Sequence, residues 1–554
     1  MSRLWLGLLI MQLALVVHSA EPDWAEGFSV PLEGRSNPYQ VDPQELDEVV
    51  RRGRIHMLNW PVEITGVVLP YHPIKKMLDE RDSNPIRRLF QSLFRGISGL
   101  RSFDQVMEWL GLHEFPETED VFPFPEGFRP EYRMGMGLIE RHGAEGFTFS
   151  CASCHAADLF GTKVLGLSNR FPLANDFFVK GSAALRTVPE FGIRLFTDST
   201  DAEVEMLTMA KDRIQHIEAK APIQLGLDTS LAQVALSLSK RNQDAYASFN
   251  EGLARNPRHD RLRRRVADSK PAVWWTLKYK NKFLLDGSVV SGNPIFTNLL
   301  WNEIGRGTDL RELEDWLVQN TEIVRELTTA VFTSEAPSIT DFFPAEHFDL
   351  ESAKRGEVLF QQTCAECHGQ YKKNWSLPGA ENMSLAQQLK TFEVQYFQDT
   401  PISDVGTDPY RYWGMESLEQ LNNLEISKKN GILIRQQTGY VPPPLNGIWA
   451  RWPYMHNNSM PTLCDVLLPK AERQVTYWAG PPKNKQTDFD LDCNGYPSGA
   501  AVPSAWKQNR DYYFDTRRIG MKNIGHDVGI FVRNGRSIFS DQDRRDLIRF
   551  LQTL

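Results

Sequence analysis

Past residue 20 the sequence has no stretch apolar enough to cross a bilayer, so no transmembrane anchor is expected. It also lacks a basic excess. Lys and Arg number 62 against 70 Asp and Glu, a formal charge of -8, which argues against nucleic acid as a partner. Cysteine is scarce: four of the six fall into two copies of one pattern, leaving two to explain. What remains is an ordinary globular composition, 41% hydrophobic and 24% charged, in 554 residues, enough for two or more domains with a large buried core.

The one long apolar run, Leu4 to Val17, follows Met1-Ser2-Arg3 and precedes His18-Ser19-Ala20. That charged, apolar and small-residue layout predicts a secretory signal over 1–20, cleaved near Ala20, and a periplasmic or secreted destination. The run is too short to span a membrane comfortably.

The repeated pattern is Cys151-Ala152-Ser153-Cys154-His155 and Cys364-Ala365-Glu366-Cys367-His368. C-x-x-C-H is the attachment signature of c-type haem. Two thiols one helical turn apart reach the porphyrin vinyl groups, and the histidine supplies the proximal nitrogen to iron. Two covalently bound c-type haems are therefore expected. The competing reading gathers the four thiols into one zinc site or treats each pair as a redox dithiol, but it leaves both histidines unexplained. Covalent haem attachment and export agree with each other, and in an oxidising compartment Cys464 and Cys493 read as a disulfide, with two buried free thiols as the alternative. No histidine occurs between His155 and His216, so the first iron is expected to keep one open face.

Along the chain, Asn84 is an N-cap for a helix with Pro85 in its first turn. Thr200 and Glu203 form a capping box opening another helix, on which Met206, Met209 and His216 read as ordinary packing and surface residues. A further helix is expected over about 230–253, and the basic run Arg258 to Arg265 reads as a solvated helix face. Trp274-Trp275 should be at least partly buried, as core or as an aromatic stepping stone between haems. Gly356 should allow a close helix crossing, with the C-terminal helix behind the Ser540 and Asp543 box as its partner.

Two further stretches carry a family resemblance. Pro443-Pro444-Leu445-Asn446-Gly447-Ile448-Trp449-Ala450-Arg451-Trp452-Pro453-Tyr454-Met455-His456-Asn457-Asn458-Ser459-Met460-Pro461-Thr462-Leu463 resembles a segment of the bacterial dihaem cytochrome c peroxidase superfamily. Asn523-Ile524-Gly525-His526-Asp527-Val528-Gly529 is similar to an element of its branch that contains the secreted rubber oxygenases. The resemblance implies an all-α fold with two c-type haem domains and long insertions. The Ser/Pro/Asp-rich stretch around Thr333 to Phe343 marks a boundary, so the expected division is an N-terminal extension over 21–128, a first haem domain with a helical insertion over 129–340, and a second cytochrome c domain over 341–554. It implies that His155 is the proximal ligand of an open-faced haem and that His368 and His526 hold the other iron. His456 competes for that role or sits behind the ligands, and Trp274 or Trp275 lies near the active haem. Arg451-Trp452 departs from the small-residue pair of the family segment.

The expected activity is a haem-dependent oxidoreductase in which dioxygen, bound at the His155 haem, oxygenates an apolar unsaturated substrate while the second haem relays electrons. Two alternatives stay open: a peroxidase that reduces hydrogen peroxide with electrons from a small redox protein, and a dihaem electron carrier.

Overall fold

The computed structural model describes residues 21–554 apart from 99–100, 118–120, 125–129, 188–193, 195–196 and 250–254, so the expected signal segment lies outside the described residues. Its architecture is mixed. Helices alternate with one three-stranded and five two-stranded sheets among the described residues, which overturns the all-α expectation. The reason lies in two-residue turns. At His142-Gly143 and at Phe160-Gly161 both φ angles are positive, 54° and 82° in the first and 55° and 96° in the second. That geometry joins antiparallel strands without splaying them.

These turns frame the first motif. Met136–Arg141 pairs with Ala144–Phe149, which ends two residues before Cys151; Ala156–Leu159 pairs with Thr162–Leu165 directly after His155. The second motif has helices instead. Leu350–Thr363 leads straight into Ala365–His368, and the Asp541–Gln552 helix crosses it at Gly356. A Cβ at that position would lie 2.0 Å from the Asp546 carbonyl oxygen, so the crossing requires glycine. Beside it the Asp546 carboxylate, 4% exposed, accepts from Arg355 at 2.8 and 2.9 Å and from Ser352.

Both expected capping boxes form, and Asn84 Oδ1 accepts from the Ile86 amide at the head of the Pro85–Ser98 helix. The helix expected over about 230–253 is shorter, Ser230–Ser239. The Arg258 to Arg265 run is not a helix face. Leu262 is buried within a single 3₁₀ turn, Arg258 donates to the Arg241 carbonyl, and Arg261, Arg263 and Arg265 pair with Glu416 and Glu218.

Two large apolar cores form, and packing crosses position 340 in both directions. Trp274, Leu300 and Leu327 share one core with Leu418, Leu421 and Ile434, while Leu159, Leu167 and Trp275 share the other with Phe360, Trp449 and Phe550. Cys464 and Cys493 are joined as a disulfide, Cα atoms 5.0 Å apart. Closing that 29-residue separation stabilises the fold by about 3 to 4 kcal/mol in the chain-entropy model. Among the described residues no helix is long and apolar enough to cross a membrane.

Candidate functional site

The first C-x-x-C-H turn is a single turn of helix, Ala152–His155, locked from behind. Ser153 Oγ donates to the Ser150 carbonyl, and Asn169 Nδ2 donates to the carbonyls of Ser153 and Gly111, each at 2.8 Å. The His155 imidazole Nδ1 lies 2.9 Å from the Ala272 carbonyl. A carbonyl can only accept, so Nδ1 carries the proton and Nε2 keeps its lone pair. Burial drives this imidazole down to about 4, so the ring is neutral, the form that binds a metal.

The second turn repeats that design. His368 Nδ1 lies 2.9 Å from the Pro443 carbonyl, and burial drives the ring down to about 4. Gly369 ends the turn with φ 79°, and Tyr371 OH donates to the His368 carbonyl. Opposite stands His526. The two imidazole centroids are 6.3 Å apart with planes inclined by 17°. The His526 backbone has φ 50°, and its amide donates to the Val405 carbonyl. Arg473 donates to the Asn523 carbonyl at 2.9 Å, holding the same loop from its other side. His526 Nδ1 is buried without a hydrogen-bond partner among the described residues.

His456 has a different neighbour. Its ring stacks on Tyr440 at 4.2 Å, and its Nε2 lies 3.1 Å from the Tyr440 hydroxyl. The adjacent tryptophans also part company. Trp274 packs 5.2 Å from the His155 ring, whereas Trp275 is fully buried with Nε1 donating to the Asn446 carbonyl at 2.9 Å. Met206 lies in the first core, and His216 stacks on Phe249.

A cavity of about 260 Å³ opens beside Cys151, Cys154 and His155. Leu231, Val234, Phe283, Leu299, Trp301 and Val331 give it an apolar lining; His155 is the one histidine and Asp228 the one carboxylate among its described lining residues. Trp301 Nε1, buried there, has no partner among the described residues. Trp274 lines the cavity too, with Lys270 and Arg411 at its polar edge. Sequence reasoning missed Tyr440, Asn169, Arg411 and the carbonyls of Ala272 and Pro443. Each lies remote in sequence from the residue it serves, and backbone carbonyls leave no signal in residue type.

Among the described residues no three His, Cys, Asp or Glu side chains gather into a metal cluster, so the four motif thiols do not form one zinc site. Haem c fits better. Each turn offers two thiols and a neutral imidazole within five residues, and at the second turn the His526 ring faces the His368 ring.

Residues 439–479 match the family model described as RoxA-like, cytochrome c-like. This segment supplies Pro443, Asn446 and His456, and so touches the surroundings of both motifs. The match implies haem c binding and an oxidoreductase of the cytochrome kind. The chain is also similar to the uncharacterized protein y4iJ of Sinorhizobium fredii (strain NBRC 101917 / NGR234), 30% identical over 138 residues, which is 24% of this chain and 21% of that protein. To the uncharacterized protein y4iM of the same strain it is 28% identical over 191 residues, 33% of this chain and 43% of that protein. The matched stretches thus span about a fifth of one relative's length and less than half of the other's.

Proposed function

We propose that the chain is an exported oxidoreductase with two covalent c-type haems, one on Cys151, Cys154 and His155 and one on Cys364, Cys367, His368 and His526. The His155 site activates dioxygen to oxygenate an apolar unsaturated substrate, and the second site relays electrons. The observation that carries this reading is the inequality of the two sites. His368 faces a second imidazole, whereas His155 has beside it a roomy apolar cavity in which no second histidine is found among the described residues.

Haem bound at these residues supplies the dioxygen and one-electron chemistry. The chain's own residues do the rest. Ala272 fixes the His155 tautomer and ring direction, as second-shell carbonyls do for metal-bound histidine. The apolar lining excludes water and accepts a hydrocarbon chain, while the Trp301 N–H offers one directional contact. Trp274 packs on the His155 ring, and its neighbour Trp275 bonds Asn446 in the segment whose Pro443 carbonyl orients His368.

Hydrogen peroxide is the alternative oxidant, favoured by one observation: Asp228 lines the cavity, and burial raises its carboxyl, as a proton shuttle requires. An aerobic assay with labelled dioxygen and isoprenoid oligomers or unsaturated fatty acids separates the two. Label in the product is expected. Unlabelled product with rapid peroxide turnover, driven by a reduced small cytochrome, would replace the oxygenase with the peroxidase. Two six-coordinate irons that take no added ligand would leave only an electron carrier.

A further inference from the structure

Some buried cations among the described residues have an acidic neighbour. Arg306 has Glu303, Arg411 has Asp286 at 3.7 Å, and Lys278 has Glu335 at 2.6 Å. Three do not. Lys280, 4% exposed, has no hydrogen bond or ion pair from its ammonium among the described residues. Arg451 gives one N–H to the Pro444 carbonyl at 2.8 Å and pairs with no described carboxylate. Lys270 donates to the carbonyls of Arg451 and Pro453, at 3.2 and 2.7 Å. The charge of Arg451 acts on both lysines, and after burial it is the strongest influence on each, so Arg451 repels both.

Charge buried in this way is costly unless an anion meets it. The position of the group points to which anion. Arg451 bonds the carbonyl next to the one that orients His368, and Lys270 lines the His155 cavity two residues before the carbonyl that orients His155. The group therefore stands where the two cofactor sites approach each other. A c-type haem carries its own carboxylates, the propionates, at the edge away from its thioether links.

We infer that Lys280, Arg451 and Lys270 form a shared anion subsite that holds haem carboxylates at the boundary of the two sites and favours the reduced state of the His368 haem. This rests on the two-haem reading. The three are positioning residues, acting through the haem's charge.

The test uses the holoprotein and its K280M, R451M and R451K variants. Haem content per chain comes first: a wild-type value other than two rejects the two-haem reading, not the subsite. Spectroelectrochemical titration of the low-spin haem, with and without added inorganic phosphate, then tests the subsite. In K280M and R451M the oxidised-to-reduced ratio at fixed potential is expected to rise about tenfold, about 59 mV for a one-electron couple. R451K should stay near wild type, and phosphate should change nothing. An unchanged potential in K280M with a raised melting temperature would show an unpaired buried lysine and overturn the inference. A potential that tracks phosphate would assign the subsite to a free anion and overturn it equally.

Discussion

Around His155 the chain builds two hairpins and a wide apolar cavity; around His368 it builds two crossed helices and a second imidazole. The proximal halves are nearly interchangeable, since each histidine gives Nδ1–H to a backbone carbonyl at 2.9 Å and is driven down to about 4 by burial. The difference lies opposite, and it comes from far along the chain. The Ser230–Ser239 and Pro294–Gly305 helices contribute to the His155 cavity, whereas a loop 158 positions after His368 brings in His526. On the two-haem reading, a C-x-x-C-H motif specifies one face of its cofactor, and tertiary structure decides whether the other is open.

The sharpest way to break this comparison is to delete one attachment at a time. Replacing Cys364 and Cys367 with alanine should remove one porphyrin mass in intact-mass measurement and abolish the low-spin spectrum; replacing Cys151 and Cys154 should remove the same mass and abolish binding of a small exogenous ligand. Next in size, His526→Ala should make the second site resemble the first. A spectroscopic titration with an exogenous ligand should then saturate at two equivalents per chain instead of one, and His456→Ala should leave one.

The helical setting of the second site gives two smaller effects. Gly356→Val pushes a side chain into the Asp546 backbone and should cost about 3 kcal/mol or more in denaturant unfolding. Asp546→Asn should cost about 1 to 3 kcal/mol at pH 7. Burial works against this carboxylate's charge, but hydrogen bonds from Arg355, Ser352 and Gln542 outweigh it and hold the group below its ordinary range. A depressed carboxyl contributes stability that is complete above its unfolded pKa, about 3.9, and fades as pH falls through the folded value. The gap between wild type and Asp546→Asn should therefore close below about pH 4.

Some of this was legible in residue types alone. The C-x-x-C-H repeats, the caps at Asn84, Thr200 and Ser540, the glycine at the helix crossing and the Cys464–Cys493 bridge all rest on local chemistry. The hairpins were not, because His-Gly and Phe-Gly are weaker turn signals than Asn-Gly; Asn534-Gly535, a better one, does join two short strands. Nor could Trp274 be told from Trp275, since only the fold shows which indole faces His155. The unpaired state of Lys280 was equally hidden, because a lysine in sequence looks the same with or without a carboxylate nearby.

One short span links the two motif histidines mechanically. Ala272 carries the His155 ring, Trp275 three residues on is bonded to Asn446, and Pro443 three residues back from there carries His368. A few peptide units and one indole therefore gauge the separation of the two proximal rings, much as a spacer bar fixes the gap between plates. On the two-haem reading, breathing of the outer helices and hairpins would leave that gap almost unchanged and keep electron exchange across it steady as the periphery flexes.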